Sequence, residues 1–212
     1  MTNVLILGAA GEISQYLTDM LLKQTSAHLT LYARQATQRL RGKESNRVIL
    51  VDGDFQDTDR LVQAMKGIDI VYVNDMYEET ATNSIVEAME RAGVKRIIAA
   101  SSLGIYDEVG GEFGKWLIPM SQGALPKFAA SAAVLEQSTL DYTLLRITWM
   151  YNEDGNTNYM LTNKGEPFIG AQVTRQAVAQ LVVDIIQDNS RFIRSSLGVS
   201  EPGTDWAKPS FY

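Results

Sequence analysis

The sequence predicts an α/β protein: a doubly wound parallel sheet with helices on both faces. Three observations predict it. Short runs that are apolar on both faces, such as VLIL and IDIVYV, alternate with amphipathic helical stretches, the pattern of strands covered on both sides. A glycine-rich turn, GAAG, stands between the first strand and the first helix. Nothing splits the chain: its 212 residues, 45% hydrophobic, contain no internal repeat, low-complexity tract or linker. That length fits one domain spanning 1–212 with one sizeable core.

The elements follow in order. Asn3–Leu7 is a buried strand. Glu12–Lys23 is a helix with Ile13, Leu17, Met20 and Leu21 on one face and Lys23 in its last turn. His28–Ala33 and Arg47–Val51 are the second and third strands. Asp57 caps a helix running to Met65, and Gly67 closes it. Ile68–Val73 is the fourth strand. Thr82–Ala92 is a helix with Ile85, Met89 and Ala92 on one stripe, stopped by Gly93. Arg96–Ala100 is the fifth strand, Pro126–Gln137 a helix, Tyr142–Arg146 the sixth strand, and Thr174 caps a last helix through Ile186. In such a sheet a ligand sits at the carboxyl ends of the strands, near the point where strand order reverses.

The turn GAAGEIS lies at the first of these ends. Gly8 permits a tight turn and Gly11 a close approach of backbone to a diphosphate. The amides around Ala10, Glu12 and Ile13 open a helix whose dipole favours negative charge. Ser14, small, stands where a third glycine is common. After the second strand comes Arg34, where a chain preferring NAD often carries an acid. A guanidinium holds a phosphate in bidentate fashion and stacks on adenine, which favours NADP, with NAD possible. Arg39, Arg41 and Lys43 behind it read as a solvated loop. In DGDFQD, Asp54 and Phe55 are placed to bracket an adenine, while Asp52 and Asp57 serve as caps. Asn74, ending the fourth strand, is assigned to the cofactor's ribose or nicotinamide, or to capping its own turn.

Composition excludes other classes. The net charge of -6 argues against a nucleic-acid partner, which calls for a basic face. There are no cysteines, hence no disulfide, thiolate nucleophile or zinc–thiolate site, and no metal-ligand spacing is visible. No apolar run approaches the ~20 residues of a membrane helix, and no leader pattern opens the chain. A soluble cytoplasmic protein without a membrane partner is expected. The oligomeric state is left open. His28, the single histidine, lies at the amino end of the sheet, away from the site.

GAAGEIS, Arg34, DGDF, IDIVYVN, VKRIIAASSLGIY and STLDYTLLRITWM together resemble the atypical short-chain dehydrogenase/reductase superfamily. Within it they are most similar to the small NmrA-like and flavin/biliverdin-reductase-like members. The match runs to about Met150 and resumes at VTRQAVAQLVVDII. The resemblance implies a Rossmann-type fold and a bound nicotinamide dinucleotide held by about 1–150. It also implies a small substrate-binding portion from about 151–212. Ser102, four residues before Tyr106, falls on the family's active-site serine. Ser101 beside it is assigned to the cofactor.

One departure matters. Many of these enzymes carry Tyr-x-x-x-Lys ahead of the sixth strand, where the lysine lowers the tyrosine's pKa. Here the two positions fall on Ala124 and Phe128, and Lys127 points elsewhere around the helix. Hydride transfer to a conjugated ring needs no such pair, because the charge spreads over the ring. The expected activity is therefore an NAD(P)H-dependent reduction of a planar acceptor, aromatic or conjugated, such as a quinone or flavin. Ser102 is the candidate catalytic hydroxyl, its alternative being a serine bonded to backbone. Tyr106 is a second candidate, though a poor donor with no lysine beside it. The flexible, aromatic stretch 106–120, with Trp116, and the run Trp149, Met150, Tyr151 supply candidate substrate walls, against the alternative of core packing. Arg175 shapes the start of its helix, a contact to the site being left open. The competing expectation is a non-catalytic NAD(P)-sensing regulator of the NmrA type that acts through a protein partner.

Overall fold

The computed structural model describes residues 2–212. The chain runs β1 (Asn3–Leu7), α1 (Glu12–Gln24), β2 (His28–Ala33), α2 (Ala36–Arg39), β3 (Val48–Asp52), α3 (Thr58–Ala64), β4 (Ile70–Val73), α4 (Glu79–Ala92), β5 (Arg96–Ser102), α5 (Gly111–Met120), α6 (Leu125–Gln137), β6 (Asp141–Ile147), β7 (Trp149–Tyr151), β8 (Met160–Asn163), β9 (Gln172–Thr174), α7 (Arg175–Gln187) and β10 (Ser195–Ser200). Every strand expected from the sequence forms. The caps form as expected too: Asp57 accepts from the Arg60 amide, Thr174 from the Ala177 amide, and Gly93 ends α4 in the left-handed region.

The main sheet has the order β3-β2-β1-β4-β5-β6-β10-β8. All its pairings are parallel except β10 with β8. Strand order therefore reverses beside β1, where Leu7 pairs with Tyr32 on one side and Val73 on the other. Alternation along β1 sends its side chains into two layers. Val4 and Ile6 meet Leu17 and Leu21 of α1 and Val178 and Val182 of α7. Leu5 and Leu7 meet Leu61 of α3, Met89 of α4 and Leu135 of α6. All are at most 1% exposed; each such aliphatic side chain contributes about 1.5–3 kcal/mol on burial.

The C-terminal third departs from expectation. β10 and β8 extend the main sheet, and β7 pairs with β9 in a separate parallel ribbon. The stretch 106–120, expected as a flexible candidate wall or as core packing, contains a helix, α5. Phe113 and Leu117, four residues apart on α5, pack with Leu103, Phe168 and Ala171 in a third apolar cluster. Gly114 lets this helix close on the Val109 carbonyl, which a Cβ would overlap.

Candidate functional site

The site begins at the end of β1. Gly8 turns with φ +79°, a conformation that costs an L side chain, and the Gly8 and Ala9 amides donate to the Tyr32 carbonyl at 3.0 and 3.1 Å. Gly11 is the N-cap of α1 and supplies no side chain to the helix's first amides, which the geometry of any α-helix leaves unpaired. Its lack of a Cβ is required: one there would overlap Nδ2 of Asn74 and stand 3.0 Å from its Cγ. Asn74 is held in turn by the Ser14 hydroxyl, which donates to its Oδ1 at 2.9 Å. The turn is thus locked to the end of β4.

Around this turn lie two cavities. The first, about 370 Å³, is walled by Gly8, Ala10 and Gly11, by Arg34 after β2, and by Gly53, Asp54 and Phe55 after β3. Asn74, Asp75 and Tyr77 close it. Phe55 stacks on Tyr32 with centroids 6.4 Å apart, and the Tyr32 hydroxyl donates to the Asp54 carbonyl at 2.8 Å. Burial pushes the Tyr32 phenol up to about 12, so it stays protonated and keeps this hydrogen bond. Gly53 lies against the Tyr32 ring, leaving no room for a side chain. Arg34 stands in solvent at the mouth, 4.0 Å from the Asp54 carboxylate. Arg39 is exposed, as a solvated loop residue would be, and also lines the mouth of the cleft. The single turn of α2 folds it back so that its guanidinium donates to the Arg34 carbonyl at 3.5 Å. Lys43 does leave, pairing with Asp19 at 2.8 Å.

The second cavity, about 270 Å³, continues past the turn and shares Asn74 and Asp75 with the first. Ile13, Ala100, Phe128, Ile147 and Met150 give it apolar walls, with Glu12, Ser101 and Arg175 as further polar members. Ser101 is 7% exposed and its hydroxyl has no partner among the described residues. Asp75 is open to the cleft, yet the protein packed around its carboxyl raises its pKa, Glu78 adding to the rise and the Tyr77 amide opposing it.

A family model for NAD(P)H-binding proteins matches residues 8–189. Among solved structures, a Veillonella parvula short-chain dehydrogenase/reductase in complex with NADP is 38% identical, with a TM-score of 0.95 over 99% of each chain. A Rossmann-fold NAD(P)-binding family protein from Shigella flexneri is 37% identical, with a TM-score of 0.83 over the whole of both chains. ChuY from Escherichia coli O157:H7, described as an anaerobillin reductase, shares the fold at 19% identity and a TM-score of 0.77, over 99% of this chain and all of its own. No curated protein sequence matches the chain. The chain belongs to the NAD(P)H-binding family. It is a Rossmann-fold NAD(P)-binding protein of the short-chain dehydrogenase/reductase type, as the sequence motifs implied.

This NAD(P)H-binding protein gathers the expected cofactor residues Gly8, Ala10, Gly11, Arg34, Asp54, Phe55 and Asn74 around the first cavity, and Glu12, Ile13 and Ser101 around the second. The two expected catalytic hydroxyls are elsewhere. Ser102 donates to the Leu103 carbonyl at 3.0 Å and lines neither cavity. Tyr106 also lies outside both, its hydroxyl 2.6 Å from the Glu136 carboxylate and 3.3 Å from Ser196. Burial, then the hydrogen bond to Glu136, raises its pKa, the opposite of what a proton donor near neutral pH requires. The cause is Glu108. It accepts from the Gly104 and Tyr106 amides at 3.0 and 2.8 Å and from Arg146 at 2.7 Å, folding the segment after β5 away from the cleft.

The expected aromatic walls also turn away. On β7, Trp149 and Tyr151 point to one side and Met150 to the other, as strand alternation demands. Met150 lines the second cavity, while Trp149 meets Trp116 edge-on at 5.2 Å and Tyr151 meets Phe211 at 5.6 Å. Tyr212 completes the cluster against Trp116 at 5.1 Å. Of the two positions to which the resemblance assigned a tyrosine–lysine pair, Ala124 is the N-cap residue of α6 and Phe128 lines the second cavity. Lys127 pairs with Glu78 at 3.5 Å and lies 4.6 Å above the Tyr77 ring. Arg39, Asp75, Tyr77 and Phe128 are cleft residues that sequence reasoning did not assign there, whereas Met150, named with Trp149 and Tyr151 as a candidate wall, does line the second cavity. For Asp75 the available signal was position, next to Asn74.

Proposed function

We propose that the protein is an NADPH-dependent reductase of a small, planar, conjugated acceptor such as a quinone or flavin, acting in the cytoplasm. The observation that carries this reading is the second cavity. Its apolar walls Phe128, Ile147 and Met150 stand beside the cofactor residues Glu12, Ile13 and Ser101, which leaves space for a flat ring next to a bound dinucleotide. The residues fit the cofactor: Gly8, Ala10 and Gly11 line the first cavity, and the first amides of α1, which no side chain caps, open beside them for a diphosphate. Arg34 and Arg39 would hold the 2′-phosphate, Asp54 and Phe55 the adenine.

When bound, NADPH supplies a hydride. The chain's own part is positioning and exclusion of water. Phe128, Ile147 and Met150 offer a flat ring apolar contact on its faces. No tyrosine–lysine pair is needed, since a conjugated ring spreads the charge it receives and takes its proton from solvent or from a cleft acid. The ChuY description as a reductase accords with this role.

The test is NADPH oxidation followed spectrophotometrically against a panel of quinones, flavins and linear tetrapyrroles. Turnover is expected, with Phe128→Ala and Met150→Ala raising KM for the acceptor while leaving NADPH affinity unchanged. Tight NADPH binding with no turnover on any acceptor supports the second reading: a non-catalytic NAD(P) sensor of the NmrA type working through a protein partner. The internal engagement of the Ser102 and Tyr106 hydroxyls favours that reading.

A further inference from the structure

The helix that faces the diphosphate opens with an acid. Glu12 is the first residue of the helix, where a carboxylate favours the helix dipole but repels a phosphate ligand. Its neighbour comes from the far end of the chain. Arg175, the first residue of α7, places Nε 2.8 Å from the Glu12 carboxylate, and its Nη1 donates to Asn152 Oδ1 at 3.2 Å. The Arg175 side chain is only 22% exposed, so its position is defined by packing. Glu12 and Arg175 both line the second cavity, beside Ile13. Among the residues lining that cavity, Arg175 is the one cation, against the acids Glu12 and Asp75.

We propose that Arg175 is a diphosphate-binding residue, its guanidinium shared between Glu12 and the cofactor. Two charges decide the direction. Without Arg175, a diphosphate at the α1 terminus meets two carboxylates and no cation on this side. With it, one carboxylate is neutralised and a planar donor that binds phosphate oxygens stands within the cavity. Glu12 then acts as an internal competitor that holds the guanidinium in place before the cofactor arrives. Because Arg175 begins α7, and α7 packs on α1, cofactor affinity is coupled to the docking of the C-terminal helix.

Calorimetry with NADPH on the wild type, Arg175→Gln, Arg175→Lys, Glu12→Gln and the Glu12→Gln/Arg175→Gln double variant tests the proposal. Adenosine 2′-monophosphate, which lacks the diphosphate, is the control ligand. Arg175→Gln is expected to weaken NADPH roughly tenfold to a hundredfold, the range of one charge-assisted hydrogen bond. It should leave the control ligand unchanged while the ligand-free melting temperature falls by a few degrees with the Glu12 and Asn152 contacts, and Arg175→Lys should recover part of the loss in NADPH affinity. Glu12→Gln should tighten NADPH several-fold, with the double variant between the two singles. The proposal is overturned if Arg175→Gln binds NADPH as the wild type does, or weakens both ligands equally. If that variant does not fold, Arg175→Lys decides: weaker NADPH binding with adenosine 2′-monophosphate unchanged sustains the diphosphate contact, and wild-type affinity removes it.

Discussion

Replacing Gly11 by alanine isolates the close approach on which the cofactor site depends. Gly11 sits at φ -72°, so alanine meets no backbone strain there, and every effect comes from one methyl group. That methyl would overlap Asn74 Nδ2 and stand 3.0 Å from Asn74 Cγ and 3.2 Å from the Gly8 carbonyl. Asn74 must swing away, which breaks its bond from Ser14 at 2.9 Å and its longer contact with the Tyr72 hydroxyl at 3.4 Å. Two such bonds are worth about 1–3 kcal/mol, offset by up to about 1 kcal/mol from the stiffer unfolded chain. For a chain of this length a net loss of about 1–2 kcal/mol lowers the melting temperature by roughly 2–8 °C. Cofactor binding suffers more, because the displaced Asn74 lines both cavities. NADPH affinity should fall at least about tenfold, a loss of 1.4 kcal/mol. The assay is thermal melting with and without NADPH, together with calorimetry. Adding Asn74→Ala to Gly11→Ala should recover stability beyond the sum of the single effects, since the overlapping atoms are gone. A Gly11→Ala protein that melts and binds NADPH like the wild type would refute the geometry of the turn.

Three further outcomes follow from the same structure. Arg34→Ala and Arg39→Ala should each weaken NADPH by roughly tenfold or more while leaving NADH unchanged, and calorimetry with both dinucleotides checks it. Glu108→Gln strands Arg146, whose side chain is fully buried beside a carboxylate only 4% exposed. Breaking such a pair costs about 3–5 kcal/mol, so thermal melting should shift down by roughly 6–20 °C, and an unchanged midpoint would show the charge to be solvated. The Asp75 carboxyl already has a raised pKa, and a diphosphate close by raises it further, so binding takes up a proton. NADH affinity should therefore improve as pH falls from neutral toward the usual carboxylate range, and in Asp75→Asn that slope should vanish. NADH is the ligand of choice because it lacks the 2′-phosphate, which itself titrates at about 6.

The parallel core was legible because its signal is redundant. Val4 to Leu7 are apolar on both faces, Gly93 and Asp57 mark helix ends, and each cue needs only local chemistry. The edge of the sheet was not. Ser195–Ser200 reads SSLGVS, with small polar residues and a glycine where a strand signal would need bulk. Gly198 is small for a tertiary reason, since a Cβ there would overlap Thr162 on β8 and crowd Phe168. Likewise α5 carries two glycines and a proline, so its helical character rests on Phe113 and Leu117 finding Leu103 and Phe168, partners that local sequence does not announce.

For the site, residue type was legible and direction was not. Gly8, Gly11 and Arg34 are fixed by strand ends, so their positions followed once the strands were placed. Tyr106 has the right type and spacing for a proton donor, yet its orientation is decided by Glu108, two residues on, whose carboxylate is claimed by Arg146 from a different strand. Removing an acid from that triangle would leave a buried guanidinium, so the segment after β5 cannot relax toward the cleft without a cost of several kcal/mol. The same logic separates Met150 from its neighbours. Trp149 and Tyr151 are larger and more suggestive, but a strand gives alternate residues to opposite sides, and here the cleft falls on the side of the methionine. Polar residues carried by a strand end can therefore be assigned to a site only after the register and the buried charges that hold the adjoining loop are known. Arg175 shows the converse: far along the chain, at a helix start, it reaches the first turn only because α7 packs on α1.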